Sequence, residues 1–331
     1  MGKYPFTRDV LTIDPEREVR KITNGLRSIV SREFRRRGLV VALSGGIDSS
    51  VTTALAARAL GPERVLGLLM PERHSAEETL GLSTLVADTF GIPRILEDIT
   101  DILDAVGFYR RYDAAVRLMV PEYDQGWKSK IVITGPNDRG GFHLFSIVAQ
   151  SPEGIERKAR LSLRAYLEIV AATNFKQRTR KMLEYYHADR LNYAVAGTPN
   201  RLEYDQGFFV KLGDGAADIK PIAHLYKSQV YQLAACLGVP EEVRKRSPTT
   251  DTYSLPQGQD EFYFSLPYDR MDLCLFGKNN GYAAEEVAES VALTPGQVQR
   301  VYNDIDTKRA TTRYLHQHGK LIEDVPEIKW A

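Results

Sequence analysis

The chain has 331 residues, of which 43% are hydrophobic and 26% are charged, and its formal net charge is +1. This length is enough for one substantial core, and the charge balance does not indicate binding to nucleic acid or to an anionic membrane. No run approaches the ~20 apolar residues of a membrane-spanning helix, and the N-terminus lacks the apolar segment of a secretory signal. We therefore expect a cytoplasmic protein with no nucleic-acid or membrane partner and with two buried free thiols, Cys236 and Cys274.

The first hundred residues alternate between helical and strand patterns. Asp14 and Pro15 form a typical helix start, the second helical pattern ends at Gly61, and Ser75 with Glu78 predicts a capping box for the third. Three short apolar runs predict buried strands: 39–43, 64–70 and 94–100. Strands that alternate with helices in this way form a parallel sheet with right-handed crossovers. The predicted fold class is therefore α/β, with a doubly wound parallel sheet flanked by helices.

Residues 108–150 interrupt this alternation with two β-rich runs around a loop rich in Gly, Pro, Asn and Asp. Such a pattern is typical of a β-hairpin. The runs alternate apolar and polar residues, as in Ile131 with Ile133 and Phe142 with Leu144, which predicts one buried face. We interpret 108–150 as a hairpin inserted into a single domain that spans residues 1–331.

The second half of the chain is mainly helical in pattern. A helix is predicted from about residue 152 to His187, a strand over 192–197 and a helix over 225–237 that ends at Gly238. The C-terminal third continues as helices with proline- and glycine-rich joints.

A phosphate-binding loop follows the first predicted strand, with the sequence SGGIDSS at 44–50. Glycines let the backbone approach an anion closely, and the free N–H groups of a helix start donate to it. Neither GxxxxGK[ST] nor GxGxxG is present. Asp48 stands in the loop instead. Because a bare carboxylate would repel a polyphosphate, we interpret Asp48 as a ligand of Mg²⁺.

This loop resembles the signature of the ATP pyrophosphatases (the PP-loop superfamily), which cleave ATP between its α and β phosphates. Residues 174–240 and 246–261 are in addition similar to those of NAD synthetases. The resemblance to the ammonia-dependent type implies an adenine nucleotide alpha hydrolase-like fold with ATP as co-substrate. It also implies the reaction, in which the carboxylate of deamido-NAD is adenylated, pyrophosphate leaves, and ammonia then displaces AMP to give NAD.

The resemblance implies roles for residues at three sites. The ATP-binding positions are Ser44, Gly45, Gly46, Ile47, Asp48, Ser49, Thr198, Lys227 and Thr249, and the magnesium ligands are Asp48 and Glu203. The deamido-NAD contacts are Arg178, Lys211, Asp218 and Lys308. Among these, we assign catalysis to Asp48 and Lys227, because a metal and a lysine would neutralise developing phosphate charge. Arg180 and Asp214 remain open between substrate contacts and structural ion pairs.

Several alternatives remain open from the sequence. The same loop would serve an amide ligase that acts on a different carboxylic acid, or a nucleotide-binding paralogue without activity. The resemblance implies a homodimer with an interface formed by helices at 152–187. We expect free ammonia as nitrogen donor, since no glutaminase domain fits before Leu39, although a separate amidotransferase remains possible as its source. The insertion is either a surface decoration or a specificity element close to the acid substrate.

Overall fold

The computed structural model describes residues 5–134, 144–247, 252–256, 258, 263–264, 266–323, 325 and 327. Its main sheet has four parallel strands in the order β3-β2-β1-β7. The strands are β1 (Leu39–Ala42), β2 (Val65–Leu69), β3 (Arg94–Leu96) and β7 (Ala194–Ala196). Leu39 is paired with Val65 on one side and with Ala194 on the other. The predicted parallel α/β sheet is confirmed, but the prediction of a buried strand over 94–100 is wrong, because β3 is a short edge strand and Leu96 is exposed.

Helices cover both faces of this sheet. They are α1 (Pro15–Ser28), α2 (Ile47–Leu60), α3 (Glu77–Thr89), α4 (Thr100–Ala105), α5 (Phe108–Arg117), α6 (Leu163–Leu191), α7 (Arg201–Gln206), α8 (Lys227–Leu237), α9 (Glu241–Lys245), α10 (Tyr268–Asn279), α11 (Ala284–Ala288) and α12 (Pro295–Thr312). Val41 of β1 faces a core formed with α1, α2, α3 and α8, whereas Val40 faces a core formed with α5 and α6. This alternation explains why β1 is apolar at every position. Within the described ranges, no helix is long and apolar enough to cross a membrane.

Local sequence signals determine several helix ends. The Asp14 carboxylate accepts a hydrogen bond of 3.0 Å from the N–H of Arg17, so it caps α1 as predicted. Helix α2 ends at Gly61, whose φ of +93° favours glycine. Helix α8 likewise ends at Gly238 in a left-handed conformation.

Two local predictions are wrong. Helix α3 has no side-chain cap among the described residues, because the Ser75 hydroxyl instead accepts a hydrogen bond of 3.1 Å from the N–H of Glu72. The predicted capping box of Ser75 with Glu78 is therefore not formed. Cys274 is a buried thiol as expected, but Cys236 is exposed.

The insertion forms a second, antiparallel sheet in the order β4-β5-β6. Its strands are β4 (Lys128–Thr134), β5 (Leu144–Gln150) and β6 (Glu156–Arg160). The predicted pairing of two β-rich runs is confirmed, with Ile131 paired with Ile147. Phe142 and the side chain of Leu144 lie outside the described residues. The range 108–150 begins in α5 rather than in a strand, and 156–160 is a third strand where a helix was predicted from about 152.

The antiparallel sheet is packed into the protein rather than placed on its surface. Ile131 and Ile147 are fully buried and share a core with Leu68 of β2 and Ile169 of α6. On the outer edge of β4, the N–H of Ser129 donates to the Ser254 hydroxyl at 2.8 Å. The carbonyl of Ser129 accepts from the N–H of Leu255 at 3.2 Å. The insertion therefore holds segment 252–256 in place.

The start of α8 is held by a carboxylate of α10. Asp272 accepts hydrogen bonds from the N–H groups of Lys227 at 3.1 Å and of Ser228 at 2.7 Å. Burial of this carboxyl raises the pKa of Asp272 to about 7, although its bonds with Ser228 and Lys227 oppose the shift. Asp272 therefore fixes the position from which Lys227 extends.

Replacement of Ile147 by Ala should lower the free energy of unfolding by about 2–5 kcal/mol, because it leaves a cavity in the core. Val148→Ala is the matched control, since Val148 lies on the opposite face of β5 and is only half-buried. Urea titrations measure both. An equal, small effect of the two changes would contradict the packing of the insertion in the core.

A carboxyl whose pKa is raised by folding contributes stability when it is protonated, and that contribution is lost as the pH rises. For Asp272 the loss runs from about its ordinary pKa of 3.8 to its folded pKa of about 7. Asp272→Asn cannot ionise, so the stability of this variant relative to the parent chain should increase between pH 5 and pH 8. Urea midpoints across this range measure the difference, and a difference that is constant with pH would refute the shift.

Candidate active site

The carboxyl ends of β1, β2 and β7 open onto a cavity of about 500 Å³. Residues 42–44, 69–71 and 196–199 line it where these strands end, and one face of α6 forms a long side. Ligands of open α/β sheets bind in the crevice outside the carboxyl ends of the strands. The predicted ATP and magnesium residues that line the cavity are Ser44, Gly46, Ile47, Asp48, Ser49, Thr198, Glu203 and Lys227.

The backbone of the phosphate loop requires glycine at Gly45 and leads into the first turn of α2. Gly45 has a φ of +66°, and a Cβ atom there would lie 2.9 Å from the carbonyl oxygen of Thr79. Helix α2 begins at Ile47, so the N–H groups of its first turn have no partner within the helix. Within the described residues no side chain caps this end. These N–H groups at the cavity are suited to bind an anion.

The three serine hydroxyls of the loop differ in their environment. Ser44 Oγ and Ser49 Oγ lie 3.1 Å apart at the cavity. Ser50 is fully buried and donates to the carbonyl of Gly46 at 2.8 Å. The Ser50 hydroxyl therefore stabilises the first turn of α2, and Ser49 Oγ, which donates to the same carbonyl at 3.0 Å, also lies at the cavity.

A buried ion pair joins the loop to α8. The Lys227 ammonium, with only 2% of its side chain exposed, donates a hydrogen bond to the carboxylate of Asp48. Burial alone would lower the pKa of Lys227, but the charges of Asp48 and Glu203 outweigh it and raise the pKa above its ordinary value. Lys227 is therefore a permanent cation at the point where β1 ends.

Asn200 connects the two predicted magnesium ligands, and the sequence analysis missed it. Its side-chain N–H donates to Asp48 at 3.1 Å, and its oxygen accepts from the N–H groups of Leu202 and Glu203. In return, the Glu203 carboxylate accepts from the N–H of Asn200 at 3.1 Å. This reciprocal capping box is visible in the sequence as Asn-x-x-Glu at 200–203, and it fixes Glu203 at the cavity.

The chemistry of this donor set fits a magnesium ion bound together with a polyphosphate. Asp48 and Glu203 offer hard carboxylate oxygens on the same cavity. No group of three or more His, Cys, Asp or Glu side chains that could hold a metal occurs in the described part of the chain. Two carboxylates would leave most of the octahedral shell to phosphate oxygens and water, as is usual for Mg²⁺.

The predicted deamido-NAD contacts are not among the described residues that line this cavity. Arg178 is exposed, and its Nε donates to the carbonyl of Lys211 at 3.3 Å. The Lys211 ammonium donates to the carbonyl of Tyr314 at 3.0 Å and lies 3.8 Å from the centre of its ring. Arg178 and Lys211 therefore lie together beside the cavity.

Asp218 and Lys308 have structural partners. Asp218 accepts from the N–H of Val195 in β7 at 2.7 Å and from the Tyr185 hydroxyl at 3.2 Å. Lys308 is buried and donates to the carbonyl of Tyr263 at 2.6 Å, and Tyr263 itself lines the cavity. Thr249, the last predicted ATP contact, lies outside the described residues.

Arg180 and Asp214, which the sequence left open, both line the cavity. Arg180 Nε donates to the carbonyl of Met70 at 3.3 Å, at the end of β2. Asp214 accepts from the N–H of Val210 at 2.7 Å. Both side chains therefore line the cavity with backbone groups as hydrogen-bond partners, and the charges of Lys181 and Arg180 act on Asp214.

A second buried ion pair lies deeper along α6. Lys176 Nζ is 2.7 Å from Glu72, and the two side chains are 2% and 1% exposed. Lys176 also donates to the carbonyl of Thr252 at 3.0 Å, and Tyr109 donates to Glu72 at 2.9 Å. Burial would raise the pKa of Glu72, but the charge of Lys176 holds it below its ordinary value. The partners are far apart in sequence, so no local pattern predicts the pair.

Comparison with solved structures identifies the fold. The structure of an NMN synthetase from Francisella tularensis matches with a TM-score of 0.65 and 20% identity, over 94% of this chain and 99% of that one. The structure of an NH3-dependent NAD synthetase from Campylobacter jejuni matches with a TM-score of 0.62 and 22% identity, over 94% of this chain and 100% of that one.

Comparison of sequences identifies the family. The profile of the NAD synthase family matches residues 18–121 and 147–313, which leaves out 122–146 with strand β4. An NH(3)-dependent NAD(+) synthetase from Rhizobium meliloti is 60% identical over 99% of this chain and 98% of its own length. An NH(3)-dependent NAD(+) synthetase from Mesorhizobium japonicum is 57% identical over 96% of this chain and 100% of its own length. The chain belongs to the NAD synthase family.

Proposed function

We propose that this protein converts deamido-NAD to NAD by ATP-dependent amidation with ammonia, releasing AMP and pyrophosphate. One observation carries the proposal. The phosphate loop, Asp48, Glu203 and Lys227 converge on one cavity, in a chain that is 60% identical over nearly its whole length to an NH(3)-dependent NAD(+) synthetase.

The geometry suits a reaction in two steps. A carboxylate does not react with ammonia, because the leaving group would be an oxide. Attack of a carboxylate oxygen on the α-phosphorus breaks its bond to the oxygen that leads to the β-phosphate, and pyrophosphate leaves. Ammonia then attacks the acyl carbon of the adenylate, and AMP leaves. In this proposal the loop N–H groups and Lys227 bind the β and γ phosphates, and their fixed positive charge stabilises the departing pyrophosphate.

Magnesium is part of the proposal. Asp48 and Glu203 place two carboxylates against the one ammonium of Lys227, so these three groups together carry a net negative charge. A polyphosphate brought to this site would be repelled unless a divalent cation accompanied it. The ion would neutralise charge on the phosphates, and Asp48 and Glu203 would hold it.

The contacts to the acid substrate rest on the resemblance. We assign Arg178, Lys211, Asp218 and Lys308 to the binding of deamido-NAD. Thr198 and Thr249 remain assigned to ATP. Arg178 donates to the backbone of Lys211, so each of these two neighbouring residues offers a positive charge that suits the pyrophosphate of a dinucleotide.

We also propose a homodimer formed through α6. Its large exposed apolar side chains are Leu163, Leu167, Met182 and Tyr186, and their spacing places them on one half of the helix. Arg178 is exposed on the same half. The interface would therefore start at residue 163 rather than 152, and would bring the partner subunit close to the acid substrate.

The reaction is tested by pyrophosphate release from ATP, with ammonia and with deamido-NAD or a panel of other acids. Release should depend on deamido-NAD, and glutamine should not replace ammonia efficiently in the purified chain. Asp48→Asn should lower kcat/KM at least about 100-fold, because it removes a carboxylate that would hold the magnesium ion and that pairs with Lys227. Asp104→Asn is the control, because Asp104 is exposed and does not line the cavity.

The outcomes separate the alternatives. Release with a different acid alone would establish an amide ligase of another pathway, and release with no acid in the panel would favour a paralogue without activity. We assign the reaction to the cytoplasm. A separate amidotransferase that supplies ammonia would be compatible with every one of these results.

Light scattering tests the dimer. The protein should have twice the mass of the 37.3 kDa chain at micromolar concentration. Leu167→Asp should shift it towards the monomer by burying a charge in the interface. Leu96→Asp, an equally exposed change on the edge strand β3, should not. A monomer mass for the parent chain would refute the proposal.

A further inference from the structure

An aromatic pair closes one end of the cavity, and half of it comes from the insertion. Phe145 of β5 and Tyr166 of α6 both line the cavity. Their ring centres are 4.7 Å apart and their planes differ by 20°. Phe145 lies in the stretch 122–146 that the family profile does not match. Both side chains are half-buried, so neither ring is enclosed in the core.

The pair is far from the phosphate loop. The face of α6 that lines the cavity extends from Tyr166 to Glu184. Arg180 marks the level at which the strands end, because it donates to the carbonyl of Met70 directly after β2. Tyr166 precedes Arg180 by 14 residues, which at ~1.5 Å per residue corresponds to about 21 Å of helix. The cavity therefore has a phosphate end and a distant aromatic end.

The chemistry of the proposed reaction fixes which part of a ligand reaches each end. The reacting carboxylate must meet the α-phosphate of ATP, so the nicotinate ring of deamido-NAD lies at the phosphate end. The adenine of deamido-NAD is at the opposite terminus of the molecule, beyond two riboses and a pyrophosphate. A mononucleotide that carries the same carboxylate lacks the second ribose and the adenine, so it reaches less far along the cavity than the dinucleotide.

We infer that Phe145 and Tyr166 stack on the adenine of deamido-NAD, and that the insertion thereby selects a dinucleotide over a mononucleotide. This inference rests on the proposed function. Aromatic side chains bind nucleobases by stacking because every base has a π-face. The parallel-sheet fold does not determine the length of the acid substrate, since an NMN synthetase shares it. An added element at the distant end of the cavity would make the distinction.

The packing of the insertion supports a fixed position for Phe145. Ile147, two residues along β5 on the same face, is fully buried in the core that also contains Ile169 of α6. The same strand is paired on one side with β4, which holds segment 252–256, and on the other side with β6. Phe145 is thus presented on a strand held on both sides, and a stacking surface in a fixed position loses little entropy on binding.

Steady-state kinetics of Phe145→Ala test the inference. The KM for deamido-NAD should increase about tenfold or more, which corresponds to about 1.4 kcal/mol, with kcat and the KM for ATP within about twofold. The kcat/KM for nicotinate mononucleotide, or its inhibition constant where turnover is too slow, should not change. Phe145→Trp keeps an aromatic ring, so its KM for deamido-NAD should stay close to that of the parent chain. Val148→Ala, on the opposite face of β5, is the control.

Phe145→Leu keeps the apolar volume without the ring, so it decides the question if the alanine variant does not fold. If the parent chain does not use deamido-NAD, the proposed function fails and the inference fails with it. If the parent chain does use it, three results overturn the inference alone. These are an unchanged KM for deamido-NAD in both variants, an increased KM for ATP, or an equal loss with the dinucleotide and the mononucleotide.

Discussion

The contact on which the site depends is the buried ion pair of Lys227 with Asp48. An ammonium with almost no exposure to water is costly unless a negative charge lies against it, so the folded chain must bring α2 and α8 together at their first turns. Asn200, at the start of α7, donates a hydrogen bond to the Asp48 carboxylate as well. Asp272 holds the first N–H groups of α8. The charges that would handle a polyphosphate are therefore fixed when the protein folds.

This pair also explains the composition of the phosphate loop. The loop carries an acid and lacks the lysine of the GxxxxGK[ST] type, yet a lysine is present in the site, supplied by a helix 179 residues further along the chain. The loop sequence alone therefore does not show which residue supplies the positive charge. The arrangement of the fold supplies that cation from α8, and the acid of the loop then serves to hold it in place.

The sequence predicts the features that depend on neighbouring residues. The cap at Asp14 and the end of α2 at Gly61 are determined within a few positions, and so are the buried strands β1 and β2. Strand β6 was missed because its residues, ERKAR, are almost all exposed and show no apolar alternation. The pair of Lys176 with Glu72 was missed because only the tertiary structure brings the two together.

The two ends of the cavity depend on different parts of the chain. The phosphate end is formed by loops at the carboxyl ends of the main sheet, within the segments that the family profile matches. The aromatic end includes a residue from outside those segments, and α6 connects the two ends. Because the ends are separated by about 21 Å along this helix, a change at the aromatic end need not disturb the charges that act on the phosphates. The proposed selection of the acid and the proposed activation of its carboxylate would then be physically separable, with Lys176, which binds both Glu72 and the carbonyl of Thr252, between them.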